Sequence, residues 1–411
     1  MANTKHTYTQ VDDEQQRQLR KKAIDGALRV RDQKRGLRDF GVGALKNLPG
    51  SIAVVQAFMK AVNWKKAQGE VLEGMNNTVV IVGQPNSGKS TLFNKLKGQN
   101  LSPVSSQVGT TKTLVRTDFG PFTLVDTPGH LPNVMESGMD QASVIVFLID
   151  ATSGLQAEDR ELYETIKKLK KPTIVAVNKV DTLKGGENGD RFATEVAVLL
   201  STPGVIPISG KTGANVVEEL IPAIIEASPE AALAIGRELP AFRRQAAQKI
   251  IRNAALLTLT AGLEPIPFID IPIILGVQAR LVLKMAALYG ESMEDSSARK
   301  HARELIIAMV GGLGMRYIAE QAAKFVPFGG DFVAGAIAAA STWSMGEVAL
   351  EYYESGKQIK PSRMRQLYLD FYHRFRHENK IQELRREIVE DRTPPPALPE
   401  PQEQVVEEGT A

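Results

Sequence analysis

One stretch of the chain has the residue types and spacing to grip a phosphate: Gly83-Gln84-Pro85-Asn86-Ser87-Gly88-Lys89-Ser90. It fits Gly-x-x-x-x-Gly-Lys-Ser, the phosphate-binding P-loop. Gly83 and Gly88 let the backbone wrap close to an anion, so that successive N–H groups point inward. Lys89 would reach the β- and γ-phosphates of a nucleotide, and the Ser90 hydroxyl would bind Mg²⁺. Asn86, Ser87 and Thr91 complete the set expected to line the phosphates. The loop needs a strand before it and a helix after it, and the sequence supplies both. Thr78–Val82 is a run of β-branched residues that reads as a buried strand, and Thr91–Leu96 opens a helix. The N-terminus of that helix adds its partial positive charge to the site.

Composition narrows the rest. At 411 residues the chain has room for two domains and tails. A net charge of +3 is too small to argue for bulk nucleic-acid binding, and nucleic acid is not expected as a partner. The absence of cysteine excludes disulfides and thiolate metal sites and suits a reducing cytosol. The polar start, Met1 to Gln16, lacks the apolar core of a signal peptide. The longest uncharged apolar run, Phe332 to Gly346, falls short of the ~20 residues that a spanning helix requires.

From Thr78 to about Ala227, strands alternate with helical stretches, which implies a mostly parallel sheet covered on both faces. Six strands are expected: Thr78–Val82, Thr113–Phe119, Phe122–Asp126, Val144–Asp150, Thr173–Asn178 and Val205–Ser209. Gly120-Pro121 joins the second and third as a hairpin, hence an antiparallel edge. This plan resembles that of a small GTPase. Further motifs follow in that family's order. Asp126-Thr127-Pro128-Gly129 ends a strand; its carboxylate can hold Mg²⁺ through water, and the Gly129 N–H can meet the γ-phosphate. Asn178-Lys179-Val180-Asp181 ends another. Asp181 can accept both N1–H and the exocyclic amine of guanine, which adenine cannot offer, and leaving that carboxylate unpaired rejects ATP. Asn178 would brace the loop and Lys179 would lie over the base. In Ser209-Gly210-Lys211, backbone N–H groups could reach guanine O6.

Together with Val108-Gly109-Thr110-Thr111-Lys112, these motifs resemble the Era/MnmE/EngA-like group of bacterial GTPases over roughly the middle third of the chain. The resemblance implies GTP or GDP as ligand, GTP hydrolysis as activity, and Thr111 as a further Mg²⁺ ligand. Asn86 matches an asparagine that in some members helps coordinate K⁺. His130 departs from many members, which carry an apolar residue there. Translation-factor GTPases place a histidine at that point, and Ras-like proteins a water-orienting glutamine. A neutral His130 imidazole could hold the attacking water, or the residue could simply be exposed.

Flanking regions are helical in pattern. Asp12 to Phe40 is a basic run that reads as a solvated helix face or as an amphipathic helix on an anionic membrane surface. After Ala227, helices are expected at about Ala241–Ala261, Ile271–Tyr289, Ser297–Phe325 and Phe332–Glu354. Pro265–Asp270 and Val326–Asp331 share one turn design, proline to stop a helix and aspartate to cap the next. The region resembles the helical domain of unknown function that follows the G domain in some bacterial GTPases and occurs in YcjF-like proteins. Glu264, Asp270, Arg280, Arg316 and Asp331 interrupt its apolar runs, which leaves a packed bundle or an interfacial hairpin. Gly311-Gly312-Leu313-Gly314 fits a KH-type loop poorly and reads as helix packing. Beyond Lys360 comes a charged helix whose stripe of Tyr368, Phe371, Tyr372 and Phe375 reads as a docking face. His373 and His377 are one turn apart without a third ligand nearby, a surface pair rather than a metal site. The proline-rich, acidic end lacks the composition of a packed segment.

The expected fold is therefore a P-loop NTPase α/β G domain with a mostly parallel six-stranded sheet, followed by an all-α domain of helical hairpins. The segments are a basic extension (1–76), the G domain (77–228), the helical domain (238–358), a charged helix (359–392) and a tail (393–411). The function this suggests is a switch that binds and slowly hydrolyses GTP, reporting through switch I (Val104–Lys112) and switch II (Gly129–Met139). A G-domain homodimer, an anionic membrane surface and a location in the cytoplasm or at the inner face of its membrane accompany that reading. The alternatives are an RNA- or ribosome-assembly factor, or a membrane-remodelling protein.

Overall fold

In the computed structural model of the chain, the described residues are 60, 62–75, 78–97, 116–125, 139, 142–183, 188–261, 270–310, 330–378 and 380–390. The basic N-terminal run, switch I, switch II as far as residue 138, most of both proline turns, Gly311–Gly314 and the acidic tail lie outside them. So do Thr111, Asp126, Gly129 and His130. Asp270 and Asp331, expected as caps, are already within the first turns of the helices Asp270–Leu288 and Gly330–Glu354.

The strands are β1 (Thr78–Gly83), β2 (Arg116–Phe119), β3 (Phe122–Val125), β4 (Ala142–Asp150), β5 (Thr173–Asn178) and β6 (Val205–Pro207). They form one six-stranded sheet ordered β2-β3-β1-β4-β5-β6. All pairs are parallel except β2 with β3, the hairpin that Gly120-Pro121 turns. Because the order reverses at β1, a crevice opens beyond the carboxyl ends of β1 and its neighbours, where open α/β sheets bind ligands.

Val/Ile-rich runs suit strands that are buried on both faces. Val79, Ile81, Val144, Val146 and Leu148 face one side, with α2 (Lys89–Lys97), α5 (Ile221–Ala227) and α6 (Pro229–Glu238). Val80, Val82, Ile145, Phe147 and Ile149 face the other, under α3 (Ala157–Lys168) and α4 (Gly189–Leu200). The sixth strand stops at Pro207 rather than Ser209. Ser209 N turns to donate to Ala214 O at 3.1 Å, which takes it out of the ladder.

The remaining helices form a bundle: α1 (Trp64–Met75), α7 (Arg243–Ala261), α8 (Asp270–Leu288), α9 (Ser297–Val310), α10 (Gly330–Glu354), α11 (Pro361–His377) and α12 (Lys380–Glu390). α7 packs on α10 and α8, α11 on α10 and α9, and α1 on α8, α6 and α9. The helix expected from Ala241 begins at Arg243, because Pro240–Phe242 forms a 3-10 turn. The charged helix after Lys360 is two helices, since the backbone leaves helical geometry at Glu378. Tyr368, Tyr372 and Phe375 are buried, so the aromatic stripe is a docking face.

Sequence reading passed over α6, although its start signals are present. Ser228 caps it, with Oγ accepting from Glu230 N at 3.2 Å and Ala231 N at 3.3 Å, and Pro229 opens its first turn. Ala231, Ala232, Leu233 and Ile235 are buried in the same apolar cluster as β1, β4, α7 and α8, so one core runs from the sheet into the bundle. Among the described residues, no helix is long and apolar enough to cross a membrane.

Candidate nucleotide site

At the end of β1 the chain turns through Gly83–Gly88 and enters α2. Asn86 sits in the left-handed region (φ 66°), which asparagine tolerates better than most side chains. Gly88 has φ 90°, and a Cβ there would collide with the Asn178 amide, so the position demands glycine. The buried Lys89 ammonium lies within the loop and donates to Gly83 O at 2.9 Å and Gln84 O at 3.1 Å. Ser87 Oγ is buried with no hydrogen-bond partner. Asn86, Ser90 and Thr91 are exposed around this cradle. Inward-turning glycines, an ammonium and an orphan hydroxyl are a donor set that fits the phosphates of a nucleotide.

The neighbouring corner is built by strand register. In β4 and β5, Asp150 lies opposite Asn178, so both strand ends deliver polar side chains at one level. Buried Asn178 staples two loops: Nδ2 donates to Ser87 O at 2.8 Å, and Oδ1 accepts from Gly210 N at 2.8 Å. Lys179 is left-handed (φ 69°), and its Nζ donates to Asp150 Oδ2 at 2.7 Å. Asp150 Oδ1 accepts from Thr152 N at 2.9 Å and Thr152 Oγ1 at 2.7 Å. Burial pushes the Asp150 carboxyl up, but the bonds from Lys179 and Thr152 outweigh it and hold it below the usual range. Asp181 follows in a short 3-10 turn and accepts from Ser209 Oγ at 2.6 Å. Thr212 N donates to the same hydroxyl at 3.1 Å. Gly210 rests on the Leu92 backbone, and Lys95 Nζ donates to Thr212 O at 2.9 Å, which seats this last loop on α2. Lys211 is exposed beside it.

Gly83, Asn86, Ser87, Gly88, Lys89, Ser90 and Thr91 thus share one loop and helix start. Asn178, Lys179, Asp181, Ser209, Gly210 and Lys211 form a second cluster, joined to the first through Asn178. Motif reading missed Asp150, Thr152 and Lys95. An Asp two residues before a Thr at a strand end is the signal of an Asx-type turn and could have marked the first two.

Residues 78–179 match the family model described as 50S ribosome-binding GTPase, and residues 227–393 match Domain of unknown function (DUF697). GTPase Era of Aquifex aeolicus is 34% identical over 171 residues, 37% of this chain and 56% of that protein. GTPase Der of Alkaliphilus oremlandii is 38% identical over 129 residues, 28% of this chain and 29% of that one. The chain thus spans about a third to just over half the length of these relatives. A solved structure of Era in complex with MgGDPNP and a 16S ribosomal RNA segment is 30% identical, covering 44% of this chain and 66% of that one, with a TM-score of 0.30.

Proposed function

We propose that this chain, a P-loop GTPase domain of the Era/Der type followed by a DUF697 helical region, is a guanine-nucleotide switch that hydrolyses GTP slowly. One observation carries the reading: Asn178 ties the phosphate loop to the Asp181–Ser209–Gly210 corner, so cradle and base pocket form one unit. Asp181 reads the guanine edge, Lys179 lies over the ring, and Ser209–Lys211 turn backbone N–H groups towards O6. Asn86, Ser87, Gly88, Lys89 and Thr91 line the phosphates. Ser90, Thr111 and Asp126 would hold Mg²⁺, and the Gly129 N–H would meet the γ-phosphate. The metal would neutralise charge on the β- and γ-oxygens. Asn86 as a K⁺ ligand and His130 as a water-positioning group are the two candidate sources of catalysis.

The shared core of sheet and bundle supports a second step, in which the nucleotide state biases the helical region. That region, with the basic N-terminal run, would dock on an anionic membrane from the cytoplasmic side, and G domains would pair when GTP is bound. The alternative is a ribosome-associated factor, which the description of the matching family favours. Sedimentation with anionic vesicles and with ribosomes separates the two.

The test of the central reading is a titration with fluorescent GDP, GTP, ATP and XTP. Wild type is expected to prefer guanine by about 10⁴-fold or more, and Asp181→Asn to shift preference to xanthine, whose 2-oxo group suits an amide. Equal binding of ATP and GTP by wild type would remove the assignment.

A further inference from the structure

Asp150 lies outside the phosphate-loop, Asn178–Asp181 and Ser209–Lys211 motifs, yet it ends β4 directly opposite Asn178 on β5. Its side chain is only 15% exposed, and both carboxylate oxygens are occupied. Oδ1 takes two hydrogen bonds from Thr152, and Oδ2 takes the Lys179 ammonium at 2.7 Å. Ala151 N donates to Asn178 O at 2.9 Å, so the backbones on either side of the pair are also fixed to each other.

Lys179 needs such a hold. Its backbone is left-handed, a conformation that costs a non-glycine residue about 1 kcal/mol or more. Its side chain carries four rotatable bonds that would otherwise sweep through solvent. Asp150 fixes the far end of that chain while Thr152 fixes Asp150. The lysine stem is thereby stretched along the floor where a base ring would lie, close to the Gly88 end of the phosphate loop.

We propose that Asp150 is a positioning residue for guanine-nucleotide binding, acting through Lys179 and locked in its own rotamer by Thr152. The inference rests on the guanine-nucleotide reading above. It assigns to β4 a part in recognition that belongs to none of the recognised motifs. Asp150 touches no nucleotide; it pre-orders the residue that does, and so reduces the ordering cost paid on binding.

The test uses the full chain and fluorescent GDP and GTP, followed to millimolar nucleotide. Asparagine has one carbonyl oxygen and cannot accept from both Lys179 and Thr152. Asp150→Asn is therefore expected to weaken GDP and GTP equally, about tenfold, the size of one charge-assisted contact. Thr152→Val keeps the ion pair and the backbone N–H bond to Asp150 Oδ1 but removes the Oγ1 bond, and should cost about threefold. Because the base contact is the same in ground and transition states, KM for GTP should rise while kcat holds. In a Lys179→Ala background both losses should vanish, since the group they act through is gone. Thermal melts identify any variant that fails to fold, and the Thr152→Val pair of measurements then decides alone. Losses that multiply unchanged in the Lys179→Ala background, or that fall on GTP but not GDP, would overturn the proposal. Failure of wild type to bind either nucleotide would instead remove the reading beneath it.

Discussion

Asn178 and Ser87 stand 91 residues apart in the chain and share a 2.8 Å hydrogen bond from the Asn178 amide to the Ser87 carbonyl. The other end of the same amide accepts from Gly210 N. One buried side chain therefore holds three loops from three strands in register.

Asn178→Ala should accordingly lower both stability and affinity. Two buried backbone groups would lose their partner, at about 1–3 kcal/mol each. For a domain of this size that is a fall in Tm of several degrees. Affinity for GDP should drop together with Tm, read by calorimetry and by nucleotide titration of the same sample. A variant that melts like wild type would show that water replaces the amide.

A second expectation concerns pH and lies in the bundle. Glu347 on α10 is 8% exposed and accepts from Gln248 Nε2 at 3.2 Å. Burial raises its carboxyl above the ordinary value of 4.5, against smaller opposing effects of the Gln248 bond and the Arg244 charge. A raised carboxyl binds its proton more tightly in the folded state. Its contribution is therefore fully present below 4.5 and is lost as pH rises through the folded pKa. Glu347→Gln keeps an acceptor for Gln248 and removes the titration. The variant should match wild type in acid and melt higher near pH 8, measured as Tm against pH. Asp159, also raised by burial, remains in both proteins and cancels in the comparison.

The sheet was readable because each strand is a short β-branched run ending in a chemically distinctive motif, as Thr173–Asn178 ends at Asn178-Lys179-Val180-Asp181. The phosphate loop was readable because glycine and lysine have few other reasons to occur at that spacing. What could not be read was side-chain registry across strands. Nothing local to Asp150 says that Lys179 is its partner, since that follows from β4 and β5 pairing Asp150 with Asn178. Helix α6 was obscured for a different reason. Ala231–Ile235 has no alternation of polar and apolar residues, because it is buried between the sheet and the bundle on most sides. Its capping serine and proline were the only local clues.

The contact between α7 and α10 relies on two glycines that differ in what they face. At Gly346 a Cβ would come within 2.6 Å of Ile251 Cγ1 and 3.0 Å of its Cγ2, side-chain atoms that must shift with the stiff χ1 of a β-branched residue. At Gly335 it would collide with the Leu259 carbonyl oxygen, which belongs to helical backbone and cannot rotate aside. Gly346→Ala should therefore cost about 1–3 kcal/mol, the usual range for overpacking, and Gly335→Ala more. Chemical denaturation of both variants gives the order. If Gly346→Ala proved the more damaging, the two helices would not cross as closely at Leu259 as the structure has them.

Catalysis offers two routes with different demands. Asn86 stands exposed at the mouth of the loop in a left-handed conformation, free of the Gly88–Asn178 contact that fixes the loop's other end. A K⁺ ion held there would stabilise charge developing between the β- and γ-phosphates, which requires K⁺ rather than Na⁺. Asn86→Ala should then abolish the difference between the two salts. A water positioned by His130 is indifferent to the cation, but His130→Ala should slow the chemical step, commonly by about 10²-fold. The K⁺ route proposed above needs switch I to close over the ion site, and the G-domain pairing proposed with it would favour that closure. Low turnover that rises with K⁺ and with protein concentration is therefore expected. Single-turnover hydrolysis in KCl and NaCl, for wild type and both variants, separates the routes. Equal rates in the two salts across a wide range of protein concentration would eliminate the K⁺ route and leave His130 as the group to pursue.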